Sequence, residues 1–305
     1  MPPFAQRSGP VVASICGRTH RGRVRAENQD RLLVADLANG VRAPHSAEAS
    51  GRGAAVGPLT LELGERGAVL LVADGMGGRA GGARASSLAV AAVHRVMTAG
   101  ASTRDGSDGD AFVGRLRCAL DEAHRDIQEE AGRDLHLRGM GTTATLAGIQ
   151  APFVYLAQVG DSRAYLQRAG ALTRLTRDQS LVQDLIDAGM IGEDDKHTVR
   201  GNVILQALGV TESVRPEVTY QVLRRGDVLL LCSDGLSQVV GDDEILQAIS
   251  QSPDCLTMCD RLVGMANDRG GPDNVTVLVA SIEGEGLEPP SSSDAMERRV
   301  WEGGG

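Results

Sequence analysis

The chain reads as an α+β fold built on antiparallel sheet, and three observations point there. Apolar runs of strand length recur, among them AVLLVA at Ala68–Ala73 and VLLLC at Val228–Cys232, and a run apolar at every position suits a strand covered on both faces. Strand patterns at Thr142–Ile149, Val154–Val159 and Ala164–Gln167 are separated only by turn chemistry at Ala151-Pro152 and Ala169-Gly170. Such links are too short for the helical crossover that parallel neighbours require. Two helical patterns precede this block instead of alternating with it, which separates the fold from a βαβ order.

Taken in order, residues 1–10 form a loose arm. Val11–Cys16 and Asp30–Leu37 read as strands, with the polar segment GRTHRGRVRAENQ between them. Asn39–Gly67 is rich in Gly, Ala and Ser with Pro44 and Pro58, so a flexible insertion is expected over about residues 40–58 and a short strand at Leu59–Leu63. Gly81–Met97 has helical spacing at Leu88, Val90, Ala91, Val93 and Val96. Ala111–Ala131 is a clear amphipathic helix through Phe112, Val113, Leu116, Ala119, Leu120, Ala123 and Ile127. Ser180–Ala188 is a short helix with Ser180 as its N-cap, and the polar stretch Gly189–Gly201 is a candidate flap. Strands are expected at Val203–Leu208, Val218–Val222, Val228–Cys232 and Val275–Ile282, and helices at Asp242–Ser250 and Pro253–Asp268. The tail, residues 284–305, is poor in apolar residues and is expected to be disordered.

Composition narrows the function. A hydrophobic content of 42% with 23% charged residues is that of a globular protein, and the net charge of −9 argues against nucleic acid or an anionic membrane as partner. No apolar run reaches the roughly eighteen residues of a spanning helix, and the N-terminus lacks the apolar core of a signal peptide, so a cytoplasmic location is expected. Five cysteines occur without a CxxC pair, and Cys16 and Cys232 lie in strand patterns; buried free thiols are the expectation. The histidines show no metal-ligand spacing.

Acids mark the strand ends. The run Ala68–Ala73 stops at Asp74, followed by glycines 75, 77 and 78, and Val228–Cys232 stops just before Asp234-Gly235. Asp273 opens a strand, and Glu27 and Asp30 precede another. Distant acidic strand ends meet only if the sheets bring them together, and converging carboxylates repel unless cations lie between them. An all-oxygen donor set suits the hard ions Mg²⁺ and Mn²⁺.

Eight stretches, RVRAENQD, LLVADGMGG, GMGTTAT, VGDSRAYL, LTRDQSLV, NVILQALG, LLLCSDGLSQVV and GPDNVTVLVA, occur in the order and spacing of the metal-dependent PP2C-type (PPM) protein Ser/Thr phosphatases. The chain most resembles compact bacterial members, over roughly residues 11–283. The resemblance implies an α-β-β-α sandwich of two antiparallel sheets, with two Mn²⁺ or Mg²⁺ ions in a cleft at one end. It implies that Asp74 bridges both ions, that the Gly75 carbonyl ligates one, and that Asp234 and Asp273 hold the other. Gln29 and Asp30 stand at the family's acidic pair, which acts mainly through metal-held water. Asp161 matches the acid of a third, weaker ion site, and Arg25 the arginine that clamps the substrate phosphate.

The implied reaction is hydrolysis of phosphoserine and phosphothreonine in proteins by a water activated between the ions, opposing bacterial Ser/Thr kinases. A monomer is expected. Arg79, Gly82 and Gln179 depart from the bacterial pattern, the first two replacing a frequent His and Glu, and they remove the candidate histidine acid. Two other readings remain open: a pseudophosphatase that binds phosphoproteins without turnover, and a hydrolase of small phosphate esters.

Overall fold

The computed structural model describes residues 9–39, 42–43, 54–99, 109–192, 195, 199, 203–291, 294 and 296–302. Through them the chain runs β1 (Val12–His20), β2 (Arg31–Asp36), β3 (Arg42–Ala43), β4 (Ala54–Glu62), β5 (Ala68–Ala73) and β6 (Gly75–Met76). Helices α1 (Gly78–Ala99) and α2 (Gly109–Arg133) follow, then β7 (Gly141–Thr142), β8 (Ala144–Gln150), β9 (Phe153–Val159), β10 (Arg163–Arg168) and β11 (Ala171–Arg174). The last third holds α3 (Leu181–Asp187), β12 (Glu217–Val222), β13 (Asp227–Cys232), α4 (Asp234–Ser237), α5 (Asp242–Ser250), α6 (Cys255–Asp268), β14 (Val275–Glu283) and β15 (Arg299–Val300).

All strand pairs among the described residues are antiparallel, in one sheet ordered β11-β10-β13-β14-β1-β4, another ordered β15-β12-β9-β8-β5-β2-β3, and a small separate pair, β6-β7. Side-chain alternation splits each central strand between two cores. In β5, Val69, Leu71 and Ala73 pack with α1 and α2, whereas Ala68, Leu70 and Val72 face the other sheet. In β14, Leu278, Ala280 and Ile282 share that middle core, and Val275, Val277 and Val279 pack with α5 and α6. Three cores therefore separate four layers, the α-β-β-α sandwich. All six residues of β5 are fully buried, as the uninterrupted apolar run requires.

Local chemistry sets the helix ends. Ser180 caps α3 by accepting from the Gln183 N–H at 3.3 Å, and Asp254 caps α6 by accepting from the Thr257 N–H at 2.8 Å. Three acids, Asp242, Asp243 and Glu244, fill the first turn of α5, where the helix dipole favours negative charge.

Several expectations need correction. The segment 203–208 is not a strand; it makes only isolated bridges, Ile204 to Ser180 and Leu208 to Thr142. Strand β11 was not foreseen. Within the expected insertion at 40–58, β4 begins at Ala54 and pairs with β1 as an edge strand, with a bulge opposite Ile15–Gly17. An edge position with a bulge tolerates Pro58, which has no N–H to give. The rest of that insertion, residues 40–41 and 44–53, and most of the candidate flap lie outside the described residues. So do residues 1–8 of the arm. Cys16 is not a free thiol: it is paired with Cys255, whose Cα lies 5.5 Å away. The packing of α6 on β1 brings together two cysteines 239 positions apart, a contact no local spacing encodes. Cys232 is buried and free, as expected.

The described residues of the tail are packed rather than disordered. Leu287 is fully buried, Asp294 pairs with Arg224 at 3.0 Å, and β15 extends the second sheet beside β12. Trp301 stands edge-on to Tyr155 and Tyr220, with ring centroids 5.3 and 5.2 Å away. A low average hydrophobicity conceals a few well-placed anchors. Each edge-to-face aromatic pair contributes about 0.5–1.5 kcal/mol, so Trp301→Ala is expected to lower unfolding stability by about 1–3 kcal/mol in a urea titration. A loss below about 0.5 kcal/mol would show that the tail is not anchored by this ring.

Candidate metal centre

Register places the acids. Arg31, first in β2, pairs with Ala73, last in β5, so Asp30 and Asp74 lie side by side at one end of the seven-stranded sheet. In the other sheet Cys232, last in β13, pairs with both Val277 of β14 and Arg163 of β10. Asp234, Asp273 and Asp161 thus leave the same end of that sheet. His20, last in β1, pairs with Val275, which delivers the loop 21–29 and Arg25 to the same place.

A cavity of about 530 Å³ opens there, lined by Arg25, Gln29, Asp74, Gly75, Asp234 and Asp273 among others. Asp161 lines an adjoining cavity of about 570 Å³ that shares Asp234 as a wall. Asp30 is fully buried and lines neither. The structure brings together Arg25, Asp74, Gly75, Asp234 and Asp273 in one cavity, with Asp30 behind it and Asp161 to one side.

The carboxyls are electrostatically strained. Burial, with repulsion from Asp234 and Asp273 and against hydrogen bonds from Thr276 and Ser233, pushes Asp30 up to about 7. Burial and repulsion from Asp234 and Asp178 push Asp161 up to about 7. Burial and Asp273 push Asp234 up to about 6. Asp74 is held well above the usual carboxylate range by burial and by Asp30, Asp234 and Asp161. Asp74 and Asp234 lie close enough to perturb one another's charge. Carboxyls that crowd together in this way ionise together only with positive charge between them.

A divalent ion fits this donor set. Asp30 Oδ1, Asp161 Oδ1 and Asp234 Oδ1 are buried oxygens without a hydrogen-bond partner, and buried acceptors in that condition are costly. Among the described residues no three His, Cys, Asp or Glu side chains are already gathered around a single point. The side chains thus surround a space with hard oxygens rather than forming a closed shell, which suits ions that keep several waters.

Neighbouring groups hold each acid. The Asp74 backbone is gripped on both sides: its N–H donates to Thr143 Oγ1 at 3.0 Å, and its carbonyl accepts from the Thr143 N–H and Thr142 Oγ1, each at 2.9 Å. Thr142 and Thr143 are fully buried, so their grip on the Asp74 backbone is structural. Asp30 Oδ2 accepts from Ser233 Oγ and Thr276 Oγ1, both at 2.7 Å. With the Thr276 hydroxyl donating to Asp30, its contact with Thr19 Oγ1 at 2.7 Å must run from Thr19, which itself accepts from Asn28 Nδ2 at 2.8 Å. This directed chain was missed from sequence; its only trace is hydroxyl residues interrupting apolar strands.

Gly75 is required sterically. A Cβ there would stand 2.2 Å from the Gly82 carbonyl oxygen, and one at Gly82 would stand 2.5 Å from Gln29 Oε1. Close approach of α1 to the metal loop therefore explains why residue 82 carries no acid. Gln179 is a structural amide, accepting from the Gly160 N–H at 2.8 Å directly before Asp161. Arg163 pairs with Asp178 through two nitrogens, at 2.9 and 2.6 Å, and so is braced rather than free for substrate. Arg25, more than half exposed, donates to Asp273 Oδ2 at 2.6 Å. An exposed pair of this kind contributes at most about 1 kcal/mol, so the guanidinium can exchange to another anion at little cost.

Comparison with known proteins adds to this geometry. Residues 59–276 match the family described as Protein phosphatase 2C. The serine/threonine protein phosphatase PstP of Mycobacterium tuberculosis is 36% identical over 273 residues, covering 89% of this chain and 45% of that protein. The chain thus spans about half the length of that relative. The serine/threonine phosphatase stp of Listeria monocytogenes is 32% identical, covering 86% of this chain and 93% of that protein. A crystal structure of the PstP catalytic domain in complex with two manganese ions superposes with a TM-score of 0.70 at 34% identity, covering 90% of this chain and 99% of that one.

Proposed function

The chain belongs to the protein phosphatase 2C family, and from that premise we propose that it is a Mn²⁺- or Mg²⁺-dependent hydrolase of phosphoserine and phosphothreonine in proteins. Asp74, the Gly75 carbonyl, Asp234 and Asp273 would hold two ions, and Asp161 a weaker third. When bound, such a pair supplies an activated water as nucleophile and neutralises the phosphoryl oxygens. The protein's own part is positioning. Arg25 leaves Asp273 for the substrate phosphate, offering a bidentate fork to two of its oxygens. Asp30, held by Ser233 and Thr276, would act on metal-held water from behind the cavity. No histidine lines the cavity among the described residues, so imidazole is assigned no part in protonating the leaving oxygen. The carrying observation is the convergence of Asp74, Asp234, Asp273 and Arg25 on one cavity.

The substrates are phosphorylated proteins of a bacterial Ser/Thr kinase pathway, and the enzyme works as a monomer in the cytoplasm. In support of the substrate class, the named relatives above are bacterial Ser/Thr phosphatases; no helix among the described residues is long and apolar enough to cross a membrane. Hydrolysis of a phosphothreonine peptide is expected to vanish in chelator and return on adding Mn²⁺ or Mg²⁺. Turnover that persists in chelator would overturn the reading, and binding of the peptide without turnover at any Mn²⁺ concentration would favour a pseudophosphatase.

A further inference from the structure

Asn274 follows Asp273 and is 5% exposed, and its hydrogen bonds tie together three parts of the site. Its Nδ2 donates to two carbonyls of the loop between β1 and β2, that of Arg21 at 2.9 Å and that of Glu27 at 2.8 Å. Its Oδ1 accepts from the Gln29 N–H at 2.8 Å. Its own N–H donates to Asp273 Oδ1 at 2.8 Å, which leaves Oδ2 of that carboxylate for Arg25. The amide therefore uses both donor protons and its acceptor on one loop, and the Asp273 carboxylate is divided between Asn274 and the residue that loop carries.

Close backbone approaches fix the same unit from either side. A Cβ at Gly235 would meet the Asn274 carbonyl at 1.8 Å, and one at Gly22 would meet the Asp273 carbonyl at 2.1 Å. Beyond Asn274 the loop's middle is held by the Arg23 and Val24 N–H groups donating to the Gly271 carbonyl at 2.8 and 3.3 Å, and its end by Ser86 Oγ donating to the Gln29 carbonyl at 2.6 Å. Side chains there hold little, since Val24 is 70% exposed and Arg23 reaches an exposed pair with Asp268 at 3.3 Å.

We propose that Asn274 is a positioning residue for phosphate binding, clamping the Arg21–Gln29 loop so that the Arg25 guanidinium stands at a fixed distance from the acids of the metal centre. Its side chain acts through Arg25 and touches neither ion nor substrate. The proposal rests on the phosphatase reading for its kinetic consequence, but not for its structural one.

Two substitutions test it. Asn274→Asp keeps an acceptor for the Gln29 N–H and turns an oxygen toward the two carbonyls, and Asn274→Ala removes all three side-chain bonds. Both are expected to raise KM for a phosphothreonine peptide at least tenfold, with kcat and calorimetric Mn²⁺ affinity within about threefold of the parent. Arg25→Ala combined with Asn274→Ala should be no worse in KM than Arg25→Ala alone, since two residues acting through one contact are not additive. Without metal, limited trypsin digestion of the chelated protein should cut after Arg21, Arg23 or Arg25 at least tenfold faster in either variant. Cleavage elsewhere should keep its parental rate, which a general loss of stability would not allow. Multiplicative KM effects, an unchanged KM, or loop cleavage at the parental rate would each overturn the proposal. If the parent hydrolyses no phosphopeptide, the phosphatase reading fails, and the digestion result still decides the clamp.

Discussion

Asp234→Asn should lower phosphopeptide turnover by a factor of at least about 10² while making the metal-free protein more stable. The two effects have one cause. Asp234 raises Asp74 and is itself pushed up to about 6 by burial and by Asp273, so its negative charge opposes folding wherever no cation offsets it. An asparagine of the same shape removes that charge and with it the repulsion among the acids. It also gives up an anionic ligand, which weakens the hold on a divalent ion. Thermal unfolding in chelator at pH 8 should show a higher midpoint for the variant than for the parent. Mn²⁺ titration should show the reverse gap. A variant that matches the parent in turnover would remove Asp234 from the centre, and one that is less stable in chelator would show that its charge is not strained.

The second large effect is on pH. Asp30 and Asp161 are pushed up to about 7 and Asp234 to about 6, from an ordinary value of 3.8, with burial the first cause in each. A group whose folded value is raised binds its proton more tightly in the folded state. Between about pH 4 and 7 the folded chain therefore holds protons that the unfolded chain has released, and stability must fall as pH rises through that window. Metal-free protein is expected to unfold at a midpoint more than about 5 °C higher at pH 5 than at pH 8. Mn²⁺ competes with those protons for the same oxygens, so adding it should raise the midpoint far more at pH 8 than at pH 5. A chelated protein whose midpoint rises from pH 5 to pH 8 would contradict the strain assigned to these acids.

Much of this was legible in the sequence, because the signals were local. The uninterrupted AVLLVA run predicts a strand buried on both faces, and β5 covers those six residues. The periodicity of 111–131 predicts α2, which is longer by two residues at each end, where fraying polar turns carry no apolar signal. Asp74, Asp234 and Asp273 were recognisable as strand-end acids, and register brings them to one cavity. What escaped was set by contacts between distant segments. Cys16 meets Cys255 only because α6 lies on β1. The tail looked too polar to fold, yet Leu287, Asp294 and Trp301 each meet a partner far along the chain. Nothing local marks the Asn274 amide as a clamp; its bonds to Arg21, Glu27 and Gln29 depend on β1 and β14 lying side by side.

The two halves of the acid cage ride on different sheets: Asp30 and Asp74 on one, Asp234 and Asp273 on the other. The gap between them is set by how thickly the middle layer of Leu70, Leu229, Leu278 and their neighbours is filled. Trimming a methyl group from that layer would alter the bite of the cage without touching an oxygen donor. On the proposed metal reading, preference between the smaller magnesium and the larger manganese would depend on interior thickness, open to adjustment by residues that would meet neither ion.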